Sequence, residues 1–261
     1  MTSLLAEITM WTLIFCVVAA FVAGFVDAVA GGGGLIQLPV LLWSFPVAPL
    51  ASVLGTNKAV SVVGTSAAAI TYRKKIAINT RVLIPMMATA FAGSVLGAIL
   101  ATRVERAWFE PIILTVLIGV GLVTIFRPEF GKSHLQVRSP SPVLAPLLGF
   151  GIGFYDGLIG PGTGMFLVFG LVSLLKDSFL SASALAKFVN ISTNLAALVI
   201  FIPGGHVMWL VAALMAPANL LGGFIGARTA LNRGSVFVRI IFLVMLGVLI
   251  TRLVATILFL G

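Results

Sequence analysis

Four ionisable residues lie inside long apolar segments of the sequence: Asp27, Lys58, Asp156 and Lys187. Each aspartate precedes a lysine by 31 residues, and the second Asp–Lys set follows the first at a distance of 129 residues. A charge in an apolar segment is costly, so it is usually paired or placed on a substrate or ion pathway. One interpretation is an Asp–Lys ion pair in each half that holds helices together. The other is a central site where lysines attract an anion and an aspartate changes protonation.

A glycine cluster follows each aspartate, at Gly31 to Gly34 and again from Gly160 to Gly164. Such a cluster breaks a helix, and bare backbone at membrane depth persists only where it lines a protein cavity. Each break predicts a short helix, beginning near Leu35 and near Met165, whose first N–H groups suit an anion. Thr163 is alternatively the cap of its own helix. The candidate anion contacts in these clusters are Gly32, Gly33, Gly34, Gly162 and Thr163.

Polar side chains surround both lysines. Lys187, Asn190 and Asn194 are spaced i, i+3, i+7, so they share one helical face. Such a stripe lines a polar cavity or forms hydrogen bonds between helices, and we favour the cavity. The candidate substrate-binding side chains are therefore Lys58, Lys187, Thr56, Asn57, Asn190 and Asn194, with Gln37 as a weaker addition. Asp27 and Asp156 are the candidates for coupling to protons, unless they serve packing or helix capping.

The composition indicates that these residues are positioned by helices in a lipid bilayer. Hydrophobic residues make up 60% of the 261 positions, charged residues only 9%, and the mean hydropathy is +1.21. A soluble domain is nearer half apolar and a quarter charged. The net charge of +9 comes from lysines and arginines in short connections, which indicates membrane orientation rather than nucleic-acid binding. We expect an all-α polytopic membrane protein with the lipid bilayer as its partner.

The apolar runs give the expected elements. Two of them, each directly after a glycine cluster, are too short to span a bilayer comfortably. We therefore predict about eight full or partial transmembrane spans plus re-entrant half-helices. The runs fall at about 8–30, 35–50, 53–72, 82–101, 107–126, 143–159, 164–176, 180–202, 207–230 and 236–260.

The 129-residue shift also superimposes Gly93 on Gly222 and the first glycine break on the second, so the chain is a duplication. The predicted repeats are 1–126 and 143–261, joined by a cytoplasmic connection at 127–142. Basic residues crowd the connection at 73–81, whereas the equivalent connection at 203–206 has no lysine or arginine. Because positive charge marks the cytoplasmic side, this asymmetry predicts inverted repeats. The four-residue spacing of Gly93 and Gly97, and of Gly222 and Gly226, predicts close helix contacts.

Signatures of enzymes and metal sites are missing from the sequence. Both histidines, His134 and His206, fall in connections, and neither an H-E-x-x-H motif nor a P-loop is present. Cys16 is the only cysteine, which excludes an internal disulfide and C-x-x-C metal spacing. We therefore expect no enzyme activity, no metal and no cofactor.

Several motifs together resemble the sulfite exporter TauE/SafE family. They are the stretches 24–27, 30–34, 55–58, 153–157 and 160–164, together with Ala186-Lys187 and Asn190. The resemblance runs from about residue 20 to the end of the chain. It implies a multi-pass permease of the bacterial cytoplasmic membrane for sulfur-containing anions such as sulfite, sulfoacetate or related organosulfonates and carboxylates. It also places the family's motif positions on Asp27, Lys58, Asp156 and Lys187.

Residues and resemblance together predict a secondary active transporter, an exporter of a small anion, with its site near the bilayer midplane between the two broken helices. One half would rock against the other around that site. A passive anion channel is the alternative, followed by a divalent-metal permease that uses the aspartates. The sequence leaves open whether the protein forms a homo-oligomer.

Overall fold

The computed structural model of the protein describes residues 10–104, 143–174 and 178–260. Every regular element in these residues is an α-helix, so the all-α prediction is confirmed. The predicted run 107–126 and the connection 127–142 lie outside the described residues. The helices are α1 (Met10–Ala30), α2 (Gly34–Ser44), α3 (Leu50–Arg73), α4 (Thr80–Ala101), α5 (Leu144–Leu158), α6 (Thr163–Leu174), α7 (Phe179–Phe201) and α8 (Trp209–Leu260).

Four helices in the described part of the chain are long and apolar enough to cross a bilayer. They are Met10–Ala30, Thr80–Ala101, Phe179–Phe201 and the stretch Trp209–Val244 of α8. Large apolar side chains also cover the outer surface; Trp11, for example, is 79% exposed. Patches of this kind are rare on soluble monomers and face lipid in membrane proteins. The chain is therefore a multi-pass membrane protein.

Helix α3 is as long as these spans, at 24 residues, but is less apolar. Thr56, Asn57 and Lys58 lie in its second turn, and all three are buried. A helix that buries polar side chains in a membrane protein directs them to other helices or to a cavity rather than to lipid. α3 therefore belongs to the interior of the molecule.

The two glycine clusters break the chain where they were predicted to. Gly31 and Gly160 have φ values of 81° and 94°, a left-handed conformation that only glycine adopts freely. After each break a short helix begins, α2 with 11 residues and α6 with 12. The breaks also touch each other, because Met165 N donates to Gly31 O at 3.1 Å. The two interrupted segments thus meet inside the molecule.

Helices of the two halves pack against each other. α1 packs along α8, and α5 packs along α4, so the first helix of each half lies against the last described helix of the other half. The closest approaches occur at glycines: a Cβ on Gly222 would collide with the backbone of Phe21, and one on Gly93 with that of Phe150. The same 129-residue shift relates these two contacts. The predicted close packing is confirmed, while the inverted orientation of the halves stays a prediction.

Helix α8 contains a break of its own at Gly234, where φ is 78° and ψ is −174°. This residue lies between the predicted apolar runs 207–230 and 236–260. The break therefore separates the part that packs on α1 and α3 from the last apolar run.

Candidate functional site

The four inner charges form two ion pairs that cross between the halves. Lys58 Nζ lies 2.7 Å from Asp156 Oδ1, and Lys187 Nζ lies 3.0 Å from an Asp27 carboxylate oxygen. The interpretation that paired each aspartate with the lysine of its own half is therefore wrong. The physical reason is that α3 and α7 pack against each other, so each lysine reaches the aspartate near the end of the other half's first helix.

The two aspartates differ in how well their oxygens are satisfied. Lys187 donates to both the backbone carbonyl and Oδ2 of Asp27, and Thr65 Oγ1 also donates to Oδ2 at 3.3 Å. Asp156 Oδ1 accepts from Lys58 and from Thr163 Oγ1, the latter at 2.5 Å. Its Oδ2, however, is buried without a hydrogen-bond partner among the described residues. A buried, unpaired carboxylate oxygen is costly and therefore needs an explanation.

A small polar cavity lies between the broken helices and collects polar groups from both halves. Its walls combine bare glycine backbone from the two breaks with the ion pairs and with hydroxyl and amide side chains. The lining residues are Asp27, Gly31, Gly34, Asn57, Lys58, Ser61, Thr65, Asp156, Gly160, Gly162, Thr163, Gly164, Asn190 and Asn194.

The cavity brings together nine of the fourteen residues that the sequence selected. Lys187, Thr56, Gly32, Gly33 and the weaker candidate Gln37 are not among its lining residues. Lys187 is fully buried behind Asp27, and Thr56 Oγ1 instead accepts from Met208 N, just before α8. A Cβ on Gly33 would press on Asp27 Cβ at 2.6 Å, so this glycine lets α2 approach α1.

Ser61 and Thr65 line the cavity although the sequence analysis did not select them. Lys58, Ser61 and Thr65 have the same i, i+3, i+7 spacing as Lys187, Asn190 and Asn194. The 129-residue shift maps one stripe onto the other, and this signal was available in the sequence. Each half thus contributes one polar stripe, on α3 and on α7.

The orientation of the α7 amides follows from a backbone contact. Asn194 Nδ2 donates to Asn190 O at 2.8 Å and to Asn190 Oδ1 at 2.9 Å. A carbonyl oxygen can only accept, so the nitrogen of Asn194 is fixed, and Oδ1 of Asn190 must be the accepting atom. Asn190 therefore keeps its NH₂ group available to the cavity, where it can bind an acceptor such as an anion.

Thr163 does not cap α6 with its side chain. Its hydroxyl lies 2.5 Å from Asp156 Oδ1 and 2.7 Å from Gly160 O, and its single hydrogen can serve one of them at a time. The second glycine break is thereby attached to the Lys58–Asp156 pair. Gly160 takes part in the same contact, since a Cβ there would lie 2.9 Å from Lys58 Nζ.

The fold and cavity define a class of protein: a multi-pass membrane protein with a polar site between its helices. The sulfite exporter TauE/SafE family matches residues 16–253, and the chain belongs to this family. The site motifs recognised in the sequence all fall inside the matched region.

The relatives are named as probable membrane transporter proteins. The chain is 37% identical to "Probable membrane transporter protein ORF9" of Sinorhizobium sp. over 93% of this chain and 92% of that protein. It is 34% identical to a "Probable membrane transporter protein" of Haemophilus influenzae over 95% of each chain. It is 33% identical to "Probable membrane transporter protein YfcA" of Escherichia coli over 90% and 86%. No solved structure matches. Family and relatives together indicate a membrane transporter.

Proposed function

We propose that the protein is a secondary active transporter that exports a small sulfur-containing or organic anion, such as sulfite or an organosulfonate, across the bacterial cytoplasmic membrane. The observation that carries this proposal is the cavity wall where Lys58 and the incompletely paired Asp156 stand side by side. The family name supports the sulfur-containing substrate and the direction of transport.

Charge balance supports coupling of the anion to a proton. Two lysines and two aspartates give the site no net formal charge. A monoanion that entered this buried site would meet two carboxylates already bound to the available ammonium groups. Anion binding therefore requires that one positive charge be released from its partner, because uncompensated buried charge is strongly unfavourable.

Protonation of Asp156 provides that release. Asp156 Oδ2 accepts no hydrogen bond from the described residues, so protonation there breaks no existing contact. A proton on Oδ2 removes the negative charge that repels an anion and makes this oxygen a hydrogen-bond donor. Lys58 then faces the cavity as a free cation beside Asn190. The other charged groups around the cavity, Asp27 and Lys187, stay paired with each other. One proton thus accompanies one monoanion.

The broken helices support alternating access. Gly31 and Gly164 are in backbone contact where the two breaks meet, so the two halves touch at the site itself. In transporters with inverted repeats, access alternates when one half rocks against the other around a central site. We propose that repeats 1–126 and 143–261 move in this way.

Uptake of labelled sulfite and sulfoacetate into proteoliposomes with an imposed pH gradient tests the function. We expect saturable, gradient-driven accumulation that Lys58→Ala abolishes, while Lys74→Ala, which changes an exposed lysine in a connection, keeps wild-type uptake. Anion flux that equilibrates without accumulation under any gradient would indicate the channel. Metal-dependent flux that survives Lys58→Ala and Lys187→Ala would indicate the divalent-metal permease.

A further inference from the structure

A chain of three buried amide side chains leads from α8 to the cavity. Asn219 of α8, Gln37 of α2 and Asn57 of α3 are each at most 4% exposed. Asn219 Nδ2 donates to Gln37 Oε1 at 3.1 Å, and Gln37 Nε2 donates to Asn57 Oδ1 at 2.8 Å. We call these three residues the amide relay. Only its last member, Asn57, lines the cavity.

Backbone carbonyls at two points fix the direction of the amide relay. Asn219 Nδ2 also donates to Ala20 O at 2.8 Å, and Gln37 Nε2 also donates to Asn57 O at 3.2 Å. Because these carbonyls can only accept, neither amide can turn over without placing two acceptors against each other. Asn57 Oδ1 is therefore held as an acceptor for Gln37, and Asn57 Nδ2 is left to face the cavity as a donor.

The fold itself does not require the amide relay. The 129-residue shift maps Gln37 on Phe166, Asn57 on Ala186 and Asn219 on Ala90. The backbone packing at the two places is nevertheless the same, since Gly24 lies against Asn219 O as Gly153 lies against Ala90 O. Buried amides at only one of two equivalent positions indicate a role beyond packing.

We propose that Gln37 and Asn219 are positioning residues that hold the Asn57 NH₂ group toward the cavity as a donor to the anion. Asn57 Nδ2 then binds the anion from α3 as the Asn190 NH₂ group does from α7. The amide relay thereby favours solutes with acceptor oxygens, such as sulfite and sulfonates, over cations. This inference rests on the proposed function and assigns further residues to the same site.

The test compares two replacements of Gln37 in the full-length protein. In Gln37→Glu the new carboxylate accepts from Asn57 Nδ2, so Asn57 turns and presents Oδ1 to the cavity. In Gln37→Met the side chain keeps its length but leaves Asn57 free to rotate. Sulfite uptake by proteoliposomes should show a KM raised roughly tenfold or more in Gln37→Glu and only a few-fold in Gln37→Met. Vmax should change less than KM in both.

Two further variants provide a second test of the amide relay and a control. Asn219→Ala introduces the residue that stands at the equivalent position 90 and should raise KM in the same direction as Gln37→Met. Ser94→Ala removes a buried hydroxyl that donates to Thr193 O away from the cavity, and should leave KM unchanged. If the folded Gln37 and Asn219 variants had the same KM as the wild type, the proposed positioning role of the amide relay would be wrong, while the proposed transport function would still stand. Lack of saturable uptake by the wild type would instead contradict the proposed function.

Discussion

Lys58 and Asp156 come from different halves of the chain, yet their Nζ and Oδ1 atoms lie 2.7 Å apart at the wall of the central cavity. Lys187 and Asp27 form the reciprocal pair. Both charge pairs therefore join the halves to each other. If one half moves against the other, as proposed, the geometry of both ion pairs must change. The ion pairs would therefore couple the candidate site to the movement that opens it to one side of the membrane or the other.

The crossed pairing predicts a specific pattern of stability in double mutants. Lys58→Ala leaves Asp156 buried without its cation, which should cost about 3–5 kcal/mol of unfolding free energy. Adding Asp156→Ala should recover much of that loss because no unpaired charge remains. Thermal unfolding of the detergent-solubilised protein measures both effects. Lys58→Ala combined with Asp27→Ala should not recover stability, and recovery in that variant would contradict the crossed pairing.

Replacement of Asp156 should remove the pH dependence of anion binding. Under the proposed coupling a proton is taken up with the anion, so affinity should rise as pH falls, by at most about tenfold per pH unit. Asp156→Asn leaves Lys58 permanently uncompensated, so the affinity for a sulfonate, whose charge does not change near neutral pH, should be nearly independent of pH. Calorimetric titrations at several pH values provide the measurement.

Asp27→Asn is the matched variant for this experiment. Asp27 is already bound by Lys187 and Thr65, so the pH dependence should persist when it is changed. If Asp27→Asn removed the pH dependence and Asp156→Asn preserved it, the coupling residue would be Asp27.

Gly160 should tolerate no side chain. Its φ of 94° strains any other residue by about 1–3 kcal/mol, and a Cβ would lie 2.9 Å from Lys58 Nζ. Gly160→Ala should therefore lower both the unfolding temperature and the affinity for sulfite. Gly151→Ala provides the control, because that helical glycine of α5 has open space around its Cβ position. A Gly160→Ala protein with wild-type transport kinetics would show that the break does not shape the site.

The glycine contacts between the halves predict equivalent effects at equivalent positions. Gly93→Leu and Gly222→Leu should each force α4 from α5 or α8 from α1, since even a Cβ collides with the backbone there. We expect destabilisation of about 1–3 kcal/mol or loss of folding, as for overpacked cores. Gly151→Leu, at a helical position of α5 where a Cβ meets no atom within 4 Å, should fold normally. The thermal unfolding temperatures of the three glycine-to-leucine variants provide the measurement.

The sequence alone was sufficient for the membrane class, for most helix positions and for the glycine breaks. These properties are local: apolar runs of bilayer length, and glycine clusters that no helix accommodates. The sequence also selected Asn57, Asn190 and Asn194. Each lies close to a buried lysine on the same helix, so its side chain was expected in the same polar environment as that lysine. The family resemblance was carried by the same local motifs, and the family match over residues 16–253 agrees with it.

The tertiary structure alone decided which charges meet. A spacing of 31 residues places Asp27 and Lys58 on helices of the same half, but says nothing about which helices lie side by side. Packing of α3 against α7 brings each lysine to the aspartate of the other half. The hydrogen bond between Gln37 and Asn219 likewise joins residues that are 182 positions apart in the sequence. Hydrogen-bond direction is a property of assembled neighbours, and no single segment contains it.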